Sequence, residues 1–334
     1  MLARGVSLSM TEPMTAVQYG VGPIGSRIVR SALQQGINFA GAIDIDPEKL
    51  GRDLGNVAGC EEPLDVTVTD DANAVLGPDI DIVFHSTVSS LQMAMPQLRE
   101  CLEAGIDVIS TCEQLTFPQY RHPDLATELN KLATASGVSI MGTGINPGYA
   151  MDFLPTVLTI PCHTVESIEV LRVQNASTRR EPLQRKVGAG LSLEAFEAQI
   201  VGQEGHVGLT ESVAMIAHAL GWTLDEITED VEPVVADAPV RTDHFEAAVG
   251  EVAGMAQRGV GRIDGMTRVD LQISQYIGAP DARDVIQIHG DPSLTMKIPG
   301  GIHGDRATPA VVVNSAARVR GSPPGLLSMV DGLR

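Results

Sequence analysis

Three glycines, one aspartate and one glutamate are the residues of this 334-residue chain whose types and spacing could do chemistry. Gly20-x-Gly22-x-x-Gly25, in the stretch AVQYGVGPIGSRIV, lies between a strand-like apolar run and a helical one. In that context Gly20 makes a tight turn, Gly22 lets the backbone approach a pyrophosphate, and Gly25 lets helix and strand pack closely. Pro23 and Ile24 open the helix, whose free N–H groups and positive dipole end would face the phosphates. Asp44 follows about twenty residues on, at the end of the next strand-like run, where an acidic side chain accepts hydrogen bonds from the adenosine ribose hydroxyls of NAD. Lys49 and Arg52 come soon after and could meet a 2′-phosphate, so NADP stays open. The run Asp44-Ile45-Asp46-Pro47 is also good helix-capping chemistry.

Glu113 stands in DVISTCEQLT (107–116), just past a short buried strand. An ionised carboxylate is costly to bury without a partner, yet this one falls where the loops of an α/β sheet build their site. Ser86 and Thr87 end the preceding strand and Thr111 ends this one; their small side chains let a flat nicotinamide ring approach the backbone. Beside such a ring Glu113 could take a proton or stabilise a cation. A carboxylate stabilises an iminium ion more than a neutral ketone, which favours reductive amination with NAD(P)H over plain ketone reduction.

The elements that must position these residues follow from periodicity. Strands are expected at Thr15–Tyr19, Phe39–Ile45, Asp65–Thr69, 79–87, Asp107–Ser110 and Ser139–Gly142. Helices are expected at Ile24–Gln35, from Pro47, through Met93, Leu98 and Leu102 to Gly105, and at Pro123–Ser136. Repeated β-α-β units predict an α/β fold, a Rossmann-type doubly wound parallel sheet. The second half reads as an α+β domain with a largely antiparallel sheet. Its strands lie in VESIEVLRVQNA, VEPVVAD, RVDLQISQYIG, DVIQIHG and LTMKI, its helices at 193–201 and 209–222, and TPAVVVNSAARVR (308–320) forms a last helix. The expected organisation is a disordered leader at 1–13, a dinucleotide-binding domain at 14–147, a substrate and oligomerisation domain at 148–304, and a C-terminal helix at 305–334 returning to the first domain.

Asn146-Pro147-Gly148-Tyr149 suits a hinge. Asn146 could bond the nicotinamide carboxamide, and Tyr149 with Phe153 could line an apolar substrate pocket. His206, between glycines, could reach the site from a loop. No histidines or cysteines have metal-ligand spacing, so no metal is expected. The four cysteines form no C-x-x-C pair, which fits a reducing, cytoplasmic setting. A net charge of −19 argues against nucleic acid and anionic membranes, and no run of 18 apolar residues exists. Arg172, Arg179, Arg180 and Arg185 are candidates for a substrate carboxylate.

Through YGVGPIG, AIDIDPEKLGRDLG and IVFHST, the first domain resembles the dihydrodipicolinate reductase N-terminal family. VQYGVGPIG, STCEQLTFP, GTGINPGYAMDFLP and ATPAVVVNSA resemble more closely the branch of 2,4-diaminopentanoate dehydrogenases and native NAD(P)-dependent amine dehydrogenases. The resemblance implies that Glu113 is catalytic, that the partners are a small amine or carbonyl substrate and ammonia, that Thr308 approaches the site, and that the chain forms a homodimer. The histidine pair of dihydrodipicolinate reductases is missing, which argues against a cyclic-imine reductase. Sugar dehydrogenases of the glucose–fructose oxidoreductase type carry Glu-Lys-Pro where this chain has Glu113-Gln114-Leu115, which argues against alcohol oxidation. A nicotinamide-binding sensor without catalysis would need the glycines but not Glu113.

Overall fold

The parallel sheet grows outward from β1 (Met14–Tyr19), whose residues MTAVQY are nearly all buried, in a computed structural model that describes residues 14–201 and 207–333. The leader expected at 1–13 and His206 lie outside the described residues. After β1 come α1 (Pro23–Gln34), β2 (Ile37–Ile43), α2 (Leu54–Ala58), β3 (Val68–Thr69), β4 (Ile82–His85), α3 (Leu91–Glu103), β5 (Asp107–Ser110), α4 (Pro118–Arg121), α5 (Pro123–Ser136) and β6 (Ser139–Gly142). A late strand, Gly325–Leu327, joins the edge beyond β6. The order across the sheet is that late strand, then β6-β5-β4-β1-β2-β3, and every pairing is parallel.

Strand sidedness places helices on both faces. Tyr19, Val83, Val108 and Ile140 share one core with Leu91, Leu98 and Leu102 of α3 and Leu129 of α5. Ala42 and Val68 share another with Val29 of α1 and with Leu54 and Ala58 of α2. The doubly wound sheet expected from the β-α-β alternation is therefore present.

Several boundaries differ from expectation for local reasons. The helix expected from Pro47 starts at Leu54, because Asp53 is the residue that caps it. The Asp53 carboxylate accepts the N–H groups of Asn56, Leu64 and Val66 at 3.1 to 3.2 Å. Asp65 takes a left-handed backbone (φ 56°), so the strand expected from Asp65 shrinks to Val68–Thr69. The strand expected from Asp79 begins at Ile82, since the Asp81 carboxylate instead accepts the Thr15 N–H at 2.8 Å. Met93 points outward, 65% exposed, rather than into the core.

The chain divides into two units: residues up to Gly144 with Asp305–Met329, and Ile145–Gly304 with the residues from Val330. The second unit contains α6 (Phe153–Leu158), β7 (Thr164–Asn175), α7 (Glu181–Lys186), α8 (Leu193–Gln199), α9 (Leu209–Leu220) and β8 (Glu226–Val235). It continues with a two-stranded ribbon of β9 (Val240–Arg241) and β10 (Glu246–Ala247), then β11 (Val252–Ile263), β12 (Met266–Tyr276), β13 (Arg283–Asp291) and β14 (Leu294–Pro299). Six of these strands form a sheet in the order β14-β13-β7-β12-β11-β8. Only the β7–β12 pairing is parallel, so the sheet is largely antiparallel.

Periodicity missed β11, because Gly254, Gly259 and Gly261 interrupt its apolar alternation. Gly259 and Gly261 let α9 and the loop after it lie close: a Cβ on Gly259 would come 3.1 Å from Leu209, and one on Gly261 would come 2.8 Å from Val213 and 2.7 Å from Leu224. The C-terminal helix also begins earlier than Thr308. It runs as α10 (Gly304–Asn314), with Thr308 and Pro309 inside it, followed by α11 (Ala316–Arg320). Gly261→Val forces a branched side chain against α9. An overpacking cost of about 1–3 kcal/mol is expected, read as a lower urea midpoint with an unchanged far-UV circular dichroism spectrum.

Candidate active site

Register brings Ile43, Tyr19, His85, Ser110 and Gly142 into one row across β2, β1, β4, β5 and β6. The next residue on each chain is therefore the carboxyl rim of the sheet: Asp44, Gly20, Ser86, Thr111 and Thr143. Each rim N–H of the last four is held by the carbonyl of its neighbour in the row. Gly20 donates to Ile43, Ser86 to Tyr19, Thr111 to His85 and Thr143 to Ser110, at 2.7 to 2.9 Å. Strand order reverses between β1 and β4, which is where doubly wound sheets hold their ligands.

At that point the glycines are required by contact. Gly20 has φ +87°, and a Cβ there would lie 2.5 Å from the Ser86 carbonyl oxygen. A Cβ on Gly25 would lie 2.0 Å from the Gly20 carbonyl oxygen. That oxygen accepts hydrogen bonds from Gln18 Nε2 and Ser86 Oγ, both at 2.9 Å. Ser86 thus fixes the loop from below. Gly22, by contrast, would point a Cβ into open space, with nothing within 4 Å. It precedes α1, which has Pro23 in its first turn and, among the described residues, no side-chain cap and no acidic residue there. A helix end with unclaimed donors and open backbone beside it fits a pyrophosphate.

Asp44 is buried. Its Oδ2 accepts the Val21 N–H at 2.7 Å and Lys49 Nζ at 3.1 Å, and its Oδ1 accepts the Asp46 N–H at 2.9 Å. It closes an Asx turn and staples the glycine loop rather than capping a helix. Of the roughly four acceptor sites of a carboxylate, one is left for a hydroxyl. Lys49 also pairs with Asp46 at 3.2 Å, and Arg52 donates to the Glu48 carbonyl.

Glu113 opens a 3-10 turn, Glu113–Leu115, directly after the β5 rim. Its neighbours anchor it. Leu115 is fully buried, and the Gln114 amide oxygen accepts the Leu91 N–H that starts α3 at 2.9 Å and contacts His122 Nε2 at 3.1 Å. Gly142 of β6 lies against the same turn; a Cβ there would come 2.5 Å from the Leu115 carbonyl carbon. Glu113 itself stays partly exposed, and no hydrogen bond or ion pair to its carboxylate is found among the described residues. Where sugar dehydrogenases carry lysine, Gln114 points inward and serves the fold.

Sequence patterns left one part of this rim unread. His85 is fully buried, with Nδ1 2.7 Å from Ser110 Oγ and Nε2 2.8 Å from Gln97 Oε1. Thr87, exposed, donates to the same Gln97 oxygen at 2.7 Å. A signal existed: His85 and Ser110 hold equivalent last positions on adjacent strands.

In the second unit, Tyr149 and Phe153 form a tilted ring pair, 5.9 Å between centroids. The fully buried Asp152 between them accepts the N–H groups of Gly148 and Phe153 and the Ser212 hydroxyl, each at 2.7 Å. Burial raises its carboxyl pKa against the pull of those donors. Asn146 also belongs to this unit, whereas Thr308 belongs to the first. Arg172 is buried in the sheet and paired with Asp284 at 2.7 Å. Arg180 and Arg185 are exposed, and Arg185 pairs with Glu181. Among the described residues no cluster of histidine, cysteine, aspartate and glutamate could hold a metal ion. None of the described helices is long and apolar enough to cross a membrane.

A glycine cradle at a helix N-terminus, an acid after the second strand and hydroxyls at the switch point define a nicotinamide-dinucleotide oxidoreductase. Residues 149–333 match the model of the 2,4-diaminopentanoate dehydrogenase C-terminal domain. A 2,4-diaminopentanoate dehydrogenase of Acetoanaerobium sticklandii is 32% identical, covering 96% of this chain and 93% of the relative. An amine dehydrogenase of Streptomyces virginiae is 23% identical over 96% and 94% of the two chains. The solved structure of an amine dehydrogenase from Mycobacterium smegmatis superposes with a TM-score of 0.84 at 26% identity, covering 95% of each chain. The chain belongs to the 2,4-diaminopentanoate dehydrogenase family.

Burial lowers the His85 pKa from 6.5 to about 4, so the folded protein keeps this imidazole neutral where the unfolded chain protonates it. Between pH 6.5 and 4 the unfolded state binds the extra proton, so His85 makes stability fall as pH falls through that window. The full cost is about 3 kcal/mol. Denaturant titrations from pH 7 to 4 should show this loss in the wild type and a shallower slope in His85→Gln.

Proposed function

We propose that this chain catalyses the reversible, NAD(P)-dependent oxidative deamination of a small amine and, in reverse, the reductive amination of a ketone or aldehyde with ammonia. It is an oxidoreductase acting on amine donors. The observation that carries the role of Glu113 is its setting: a carboxylate with no partner among the described residues, on a turn whose other residues are locked, beside the carboxyl rim that carries the glycine cradle. When bound, the nicotinamide cofactor supplies or accepts the hydride. Glu113 does the rest of the proton work. It takes a proton from ammonium as the free amine adds to the carbonyl. The adduct shifts one proton from nitrogen to its alkoxide to give the neutral carbinolamine. Glu113 then returns its proton to that hydroxyl, which leaves as water, and its negative charge stabilises the iminium that results.

The same fixed charge explains why a neutral ketone would gain less than an iminium. Arg172 is already paired with Asp284, and Arg180 and Arg185 are exposed, which supports a substrate without an essential carboxylate anchor at these residues. Tyr149 and Phe153 supply the apolar contacts of the second unit to that substrate. We assign homodimerisation to the largely antiparallel sheet of that unit.

For the cofactor we propose a preference for NAD. Asp44 keeps one acceptor site for a ribose hydroxyl, Lys49 is already held by Asp44 and Asp46, and Arg52 is turned to the Glu48 carbonyl. A 2′-phosphate would bring its charge against two carboxylates.

Three measurements test these assignments. Glu113→Gln should lower kcat about a hundredfold or more and leave the dinucleotide dissociation constant unchanged, while wild-type NAD(P)H oxidation with a ketone should require ammonium. Turnover without ammonium would overturn the amination reading. Asp44→Ala should lower the ratio of kcat/KM for NADH over NADPH about tenfold, the loss of one hydrogen bond to a charged acceptor. An unchanged ratio would remove Asp44 from the ribose site.

A further inference from the structure

We propose that His85 and Ser110, both fully buried, are positioning residues for Glu113, holding the backbone that leads into it through a hydrogen-bond chain. This rests on the catalytic role of Glu113 proposed above.

The donors along the chain can be assigned in order. Gln97 Oε1 can only accept, and it takes the Thr87 hydroxyl at 2.7 Å. His85 Nε2, 2.8 Å from the same oxygen, therefore carries the imidazole proton. His85 Nδ1 is then an acceptor, and the Ser110 hydroxyl donates to it at 2.7 Å. With its proton committed to the histidine, Ser110 Oγ is oriented to accept, and it takes the Cys112 N–H at 3.0 Å. Thr111 N–H makes the last ladder bond of β5, to the His85 carbonyl. Cys112 is thus the first residue whose N–H has left the sheet, and it immediately precedes Glu113. A neutral imidazole is required throughout, because a protonated His85 would offer Nδ1–H to Ser110 and reverse the chain. Burial keeps it neutral.

The geometry is more than a satisfied core. Both histidine nitrogens, both strand ends and α3 through Gln97 converge on one amide, so the β4 and β5 rims are tied into one rigid piece at the point where Glu113 departs. Without the Ser110 hydroxyl, the hydrogen bonds to His85 Nδ1 and from Cys112 N–H are both lost, which loosens the start of the Glu113 turn. Catalytic groups lose rate steeply when their support loosens.

The test compares Ser110→Ala and His85→Gln with Glu113→Gln, and Ser110→Ala alone suffices if His85→Gln does not fold. Expected for Ser110→Ala is a kcat lower by about tenfold, with dinucleotide dissociation constant and amine KM little changed. In a Glu113→Gln background the same substitution should barely lower the residual rate, because its effect runs through the missing carboxylate. A wild-type kcat in Ser110→Ala, or an equal loss in both backgrounds, would overturn the positioning role while leaving Glu113 catalytic. Wild-type turnover by Glu113→Gln would instead remove the catalytic reading, and the positioning role with it.

Discussion

The close approach of backbone around the Gly20 carbonyl is the constraint on which the first unit's site depends. Gly25 sits so near that oxygen that a Cβ would lie 2.0 Å from it, and would also crowd the Ser86 Oγ and Gln18 Nε2 groups that donate to it, at 2.7 and 2.9 Å. The contact is possible only with β1 and β4 adjacent, parallel and in the observed register, because Ser86 must rise beside Gly20. Once that register is set, Asp44, Thr111 and Thr143 fall on the same rim without further specification. A one-residue slip would turn every rim side chain to the opposite face. The cradle and the Glu113 turn are therefore two consequences of one pairing pattern.

Much of this was legible in the sequence, because it was carried by local rules. Gly-x-Gly-x-x-Gly between a strand and a helix has a mechanical meaning at each glycine, and Pro123–Ser136 and Ser139–Gly142 have boundaries that proline, glycine and apolar periodicity mark directly. What stayed hidden was carried by tertiary contact. β11 reads as a glycine-rich loop until α9 is laid across it. The strand Gly325–Leu327 is too short to show a period, and it is fixed by pairing with β6 and by Asn130 accepting the Leu326 N–H. The start of α2 depends on Asp53 reaching Leu64 and Val66, eleven and more residues away. Glu113 could be singled out from its place after a strand, and His85 with Ser110 only as two strand ends; Gln97 and Gln114 could not, since their roles exist only between neighbouring strands and helices.

The polar groups of the second unit show a different use of burial. Asp284 lies in the sheet with Arg172, the Ile302 N–H and Gln174 around it, and Arg172 also donates to the Ile302 carbonyl. Such a buried pair stands near break-even against apolar replacement, and removing one partner leaves the other charge stranded. Its effect is to fix the segment before α10 against β7 and β13. Asp152 does the same for the run at 148–153, taking two backbone N–H groups and the Ser212 hydroxyl of α9. Buried charge here orders backbone, and it is not held in reserve for a substrate.

Glu113 is the opposite case, and the difference decides which carboxylate can do chemistry. Asp44, Asp152 and Asp284 each accept several hydrogen bonds, so any proton they took would break contacts that hold the fold. Glu113 carries no such duty. Its fixing is delegated to residues on either side: Cys112 through its N–H, Gln114 through its amide oxygen and Leu115 through burial. A general acid–base group must change its charge during turnover without moving. Rigid backbone and an uncommitted side chain meet that requirement together, and of these four described carboxylates Glu113 is the one that has both.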